Sequence, residues 1–129
     1  MNKQIQELYK TSKSYPELVS KLIAIGIQSY TVDVATSTVV YRLAEGKTVL
    51  HPNDMVPRNV SQLFNQEEVI TAIKSNQQGK SDYPTFMNEI AKAGVRFYEA
   101  TLSGERKRVT YIGSGAHYEE IIPLGATNK

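Results

Sequence analysis

The chain contains two histidines, His51 and His117, and histidine is the side chain that titrates nearest to neutral pH without help from its surroundings. His117 lies beside two carboxylates in the segment His117-Tyr118-Glu119-Glu120. An imidazole and a carboxylate can act as general base and acid, and two imidazoles with a carboxylate can bind a metal ion. One catalytic hypothesis follows: a small hydrolase or metal-dependent enzyme that uses His51, His117 and Glu119.

The spacing of these residues gives that hypothesis little support. The histidines show no ligand pattern such as His-x-x-x-His, and Gly113-Ser114-Gly115 precedes a strand pattern rather than the helix that a phosphate-binding loop requires. Solvated histidines at the ends of strands are the expected alternative. The sequence therefore predicts no catalytic residue, no metal site and no cofactor.

Tyrosines offer a second kind of chemistry, because each joins a large apolar ring to a hydroxyl group that can line a ligand pocket. Six of the eight form matched pairs: Tyr15 with Tyr83, Tyr30 with Tyr98, and Tyr41 with Tyr111. The candidates for ligand binding are Tyr30, Tyr98, Tyr41 and Tyr111. Core packing is the stronger interpretation, because strand alternation places Tyr30 and Tyr98 on the same face as apolar residues.

These pairs indicate a unit that occurs twice in the chain. Gly26 and Gly94 lie 68 residues apart, and each follows an apolar stripe with helical spacing. Alternating strands separated by polar turns come after each glycine. Ser14 and Asp82 are placed to cap the two helices, and a further helical segment precedes each cap.

We therefore predict an α+β fold in which a unit of two helices and a three-stranded antiparallel meander occurs twice, with approximate two-fold symmetry. The matching segments are residues 15–52 and 83–123. Half of a 129-residue chain is marginal as an independent domain, so both copies are expected to share one core in a single domain of residues 1–129.

The composition is that of an ordinary globular protein, with 40% hydrophobic and 22% charged residues and a net charge of +2. So balanced a charge gives no reason to expect nucleic acid as a partner. The sequence has no apolar run of membrane-spanning length, and the absence of cysteine is typical of a reducing compartment. We expect a cytoplasmic protein with no membrane partner, and homo-oligomers are an open alternative.

Three segments carry a resemblance to a known family: Gly94-Val-Arg-Phe-Tyr-Glu-Ala100, Arg108-Val-Thr-Tyr-Ile-Gly113 and His117-Tyr-Glu-Glu-Ile-Ile-Pro123. In this order, after Tyr-Pro and a helix, they resemble the YbcV-like family of small uncharacterised bacterial proteins. The resemblance covers nearly the whole chain. Some members carry the label phage envelope protein, so it implies a phage-related setting but no activity and no functional residue.

The leading prediction is a protein of unknown function that binds a small molecule or another protein, without catalysis, where the two copies meet. The enzyme described above is one alternative. A structural protein associated with a phage is the other.

Overall fold

The computed structural model describes residues 2–12, 15–52 and 56–122. In the described chain, two helices and three strands are followed by two helices and three strands, which confirms the predicted α+β class. The first group is α1 (Asn2–Thr11), α2 (Tyr15–Ala24), β1 (Ile27–Asp33), β2 (Val39–Leu43) and β3 (Thr48–His51). The second is α3 (Gln66–Gln77), α4 (Tyr83–Lys92), β4 (Phe97–Thr101), β5 (Arg108–Gly113) and β6 (Ala116–Ile121).

Local signals in the sequence set the helix ends. The side chains of Asn65 and Asp82 each accept a hydrogen bond from the backbone N–H three residues later, at 3.1 and 2.9 Å, and so cap α3 and α4. Gly26 and Gly94 follow α2 and α4 with φ of 98° and 91°, a left-handed conformation that ends each helix. The predicted cap at Ser14 lies outside the described residues.

All six strands form one antiparallel sheet in the order β3-β2-β1-β4-β5-β6. β6 begins at Ala116, because Gly115 adopts a φ of 74° and lets a tight turn form directly after Gly113. The two groups of elements meet in the centre, where β1 pairs with β4 and Thr31 lies opposite Glu99. These two residues are 68 apart, the same offset that relates Gly26 to Gly94.

The core lies between the helices and one face of this sheet. Along the central strands, buried residues alternate with more exposed ones, as in Tyr30 and Val32 of β1 and Tyr98 and Ala100 of β4. The apolar sides of the helices pack on this face through residues such as Leu22, which is fully buried. The core is thus continuous across both copies.

A connecting segment of residues 56–65, which forms neither helix nor strand, precedes α3. The Arg58 guanidinium donates to the backbone oxygen of Val34 at 2.5 Å, to Ser37 Oγ at 2.9 Å and to Asn88 Oδ1 at 3.0 Å. Val34 and Ser37 follow β1, whereas Asn88 belongs to α4. Arg58 therefore fixes the connecting segment to both copies at once.

Candidate ligand-binding pocket

A cavity of about 570 Å³ lies between the helices and strands β1, β4, β5 and β6 of the sheet. Both copies contribute to its wall: Tyr9 and Leu18 come from the first two helices, Tyr83 and Phe86 from α4, and the sheet supplies further tyrosines. Pockets for small molecules are usually about 300–1,000 Å³ and mostly apolar with a few polar groups. The cavity has the size and lining of a small-ligand site.

Three of the four candidate tyrosines line this cavity: Tyr30, Tyr98 and Tyr111. Tyr98 and Tyr111 lie directly opposite each other on β4 and β5, with ring centres 5.4 Å apart. Tyr41 does not line the cavity. It packs behind the wall, with its ring centre 5.6 Å from that of Tyr30.

A tyrosine side chain can pack in the core and line the pocket at the same time. All four of these tyrosines are buried at 6% exposure or less, so core packing, the stronger interpretation of the sequence, describes them well. Tyr30, Tyr98 and Tyr111 nevertheless border an open volume. They are core residues whose rings form the inner wall of the pocket.

The phenol hydroxyls are arranged in pairs. The Tyr41 hydroxyl donates to the Tyr9 hydroxyl at 3.0 Å, and the Tyr83 and Tyr98 hydroxyls share a hydrogen bond of 3.0 Å. Burial raises the pKa of Tyr41 to about 12, raises the pKa of Tyr83, and raises the pKa of Tyr98 well above its ordinary value. These phenols are therefore neutral throughout the physiological range.

The raised pKa values predict loss of stability in alkali. Stability contributed by the neutral phenols is fully present below the unfolded-state pKa of about 10 and is lost as pH rises towards 12. Tyr41 alone should add a slope of up to about 1.4 kcal/mol per pH unit in that window. Urea unfolding at a series of pH values should show this slope, and Tyr41→Phe should reduce it. A native-state titration in which the Tyr41 phenol ionises near pH 10 would contradict the prediction.

Two carboxylates also line the cavity, Glu120 on β6 and Asp82 at the start of α4. Burial raises the pKa of Glu120, and the positive charge of Lys74 opposes that shift. Hydrogen bonds from Thr85 lower the pKa of Asp82, which is exposed. The Asp82 carboxylate therefore caps α4. The Glu120 carboxylate is partly removed from water and faces the aromatic wall.

The structure does not bring His51, His117 and Glu119 together. His51 lies on β3 and His117 on β6, at opposite edges of the sheet, so five strand spacings of about 4.8 Å separate them, roughly 24 Å along the sheet. They also occupy opposite faces, because His51 pairs with buried Val39 whereas His117 alternates with the core-facing Tyr118. Glu119 forms ion pairs with Arg106 and Arg108 on the face away from the helices.

Metal binding gains no support from the arrangement of the acidic and histidine side chains. Within residues 2–12, 15–52 and 56–122, no group of three or more histidine, aspartate or glutamate side chains is close enough to hold a metal ion.

Sequence reasoning did not place Tyr9, Tyr83, Phe86, Asp82 or Glu120 in a site. For Glu120 a signal was present, because alternation along β6 puts it on the same face as Tyr118. The helical residues gave no such signal. Their position depends on how the helices cross the sheet, which is a long-range property.

Comparison with known proteins bears on the family but not on the activity. A family model described as "Protein of unknown function (DUF1398)" matches residues 3–115. The chain belongs to the DUF1398 family. No curated protein matches it. In the described part of this DUF1398 chain, no helix is both long and apolar enough to cross a membrane.

Proposed function

We propose that the protein is a non-catalytic binding module that takes up a small, mainly apolar molecule in the cavity between its helices and sheet. The observation that carries this proposal is the wall of the cavity, which combines aromatic rings from both copies with a few polar groups. Such a combination is typical of ligand pockets. The rings are held in place by ring contacts of 5.4–6.4 Å and by paired hydroxyls, so the site is formed before a ligand enters.

A ligand that binds only the folded state should raise the melting temperature in proportion to its occupancy. A library of small aromatic and aliphatic molecules, screened by thermal unfolding, should therefore contain hits that stabilise the protein. Gln77 is exposed at the rim of the cavity, so Gln77→Trp should obstruct entry without disturbing the core. We expect this variant to keep its fold and lose the stabilisation by each hit.

Thr71→Trp is the matched control, since Thr71 is exposed on the same helix but does not line the cavity. Hits should stabilise this variant as they stabilise the original protein. If both tryptophan variants respond to the ligands equally, binding does not occur in this cavity and the proposal is wrong.

Membership of an uncharacterised family supports the coarse description, a protein of unknown function. Three statements stay predictions: the YbcV-like resemblance, the phage-related setting and the cytoplasmic location. Homo-oligomers stay an open alternative. A protein partner is an alternative occupant of the same surface, and the screen above separates it from a small molecule.

A further inference from the structure

We propose that the pocket selects organic cations, meaning an ammonium group carried on an apolar body. This inference rests on the ligand-binding function proposed above and specifies the chemical class of the ligand.

The aromatic wall is the first observation that favours a cation. Tyr30, Tyr83, Phe86, Tyr98 and Tyr111 surround one volume, with neighbouring ring centres 5.4–6.4 Å apart where they touch. The face of an aromatic ring carries negative potential and attracts a cation within about 6 Å of its centre. An ammonium group held against the face of one of these rings would gain this attraction.

The second observation is Glu120. Its side chain lines the cavity, is half-buried, and forms no hydrogen bond or ion pair with any residue in the described part of the chain. A carboxylate partly removed from water without a partner is costly, and a cation beside it offsets that cost. The Glu120 carboxylate therefore offers a counter-charge to an ammonium group bound in the same cavity as the aromatic rings.

The overall charge of the wall agrees with this assignment. Among the described residues that line the cavity, the two that carry charge at neutral pH are Asp82 and Glu120, both acidic. The nearby basic groups Lys74 and Arg58 act on Glu120 and Tyr83 through space, but neither side chain lines the cavity. An anionic ligand would meet like charge there, whereas a cationic ligand would meet opposite charge.

Three probes of nearly equal size test the proposal: phenethylamine, phenethyl alcohol and phenylacetate. Titration of the isotope-labelled protein, followed by amide chemical shifts, should give a dissociation constant for the amine about tenfold lower than that for the alcohol. Phenylacetate should bind more weakly than the alcohol. Each change should appear at residues that line the cavity.

Glu120→Gln should remove the preference for the amine, so that the amine and the alcohol bind this variant with similar affinity. Gln has nearly the same size and shape as Glu, so the amide should preserve the fold. Glu119→Gln is the matched control: it is the adjacent residue, but its carboxylate lies on the opposite face with Arg108 Nε at 3.7 Å. This variant should keep the full preference for the amine.

The outcomes separate the two proposals. Equal affinity for the amine and the alcohol, or a preference that survives Glu120→Gln, overturns selection of cations but leaves the binding function standing. Failure of all three probes to shift cavity residues counts against the binding function itself.

Discussion

Replacing Gly94 with alanine is expected to lower the free energy of unfolding by about 3 kcal/mol or more. Gly94 has a φ of 91°, which a residue with a side chain adopts only under strain. A Cβ atom there would also lie 2.3 Å from the Leu63 carbonyl oxygen and 2.8 Å from Phe64 Cα. Both are backbone atoms of the connecting segment, which cannot move without losing the hydrogen bond from Asn65 N to Ala93 O at 2.8 Å.

Gly26→Ala is the matched control for this prediction. Gly26 occupies the corresponding place after α2 with a φ of 98°, but a methyl group added there would have no atom of a neighbouring element within 4 Å. Only the cost of the left-handed backbone remains, about 1 kcal/mol. Urea unfolding of both variants gives the two free energies. Equal losses would show that the connecting segment does not pack against Gly94 in solution.

Shortening a buried side chain at the centre of α2 or of α4 should lower the free energy of unfolding of the whole molecule. Leu22 and Ile90 lie 68 residues apart, and both are completely buried. Leu22→Ala and Ile90→Ala should each cost about 3 kcal/mol, within the usual range for removing a large aliphatic side chain from a core. Each variant should unfold in one transition, because β1 and β4 join both copies into a single sheet and core.

Circular dichroism and tyrosine fluorescence, followed through the same urea series, measure this cooperativity. Ser20→Ala is the control, since Ser20 is exposed on the same helix as Leu22 and should change stability by no more than about 0.5 kcal/mol. Two separate transitions in Leu22→Ala would contradict a single domain of residues 1–129.

The local parts of the fold could be predicted from the sequence because each has a local cause. Asp82 caps α4 with its own side chain, and each of the two glycines ends a helix in a left-handed conformation that is strained for a residue with a side chain. The strand phase followed from simple alternation, which put Tyr30 and Tyr98 on the buried face. Whether the two copies superpose is still a prediction, to be tested on residues 15–52 and 83–122.

The site could be predicted only in part, because a pocket depends on contacts between distant segments. Three of the four tyrosines from the pairs line the cavity, whereas Tyr41 does not, and the Tyr41 hydroxyl donates to Tyr9 of α1. Arg58 offered no pattern either. The Arg58 guanidinium donates to Val34, Ser37 and Asn88, which are between 21 and 30 positions away from it in the chain. Only the folded chain brings these groups together.

Thr31 faces Glu99 at the centre of the sheet, 68 residues away in the chain. In a dimer of two identical half-length chains paired in this register, that position would set one side chain against its own copy, and two facing glutamates would repel each other. One continuous chain removes this constraint, because the two positions can carry different residues. Thr31 Oγ1 donates to Glu99 at 3.4 Å and accepts from Arg42 at 2.7 Å. Covalent linkage of the halves thus permits a directional row of unlike polar groups, from guanidinium through hydroxyl to carboxylate, where a symmetric assembly would require like to face like.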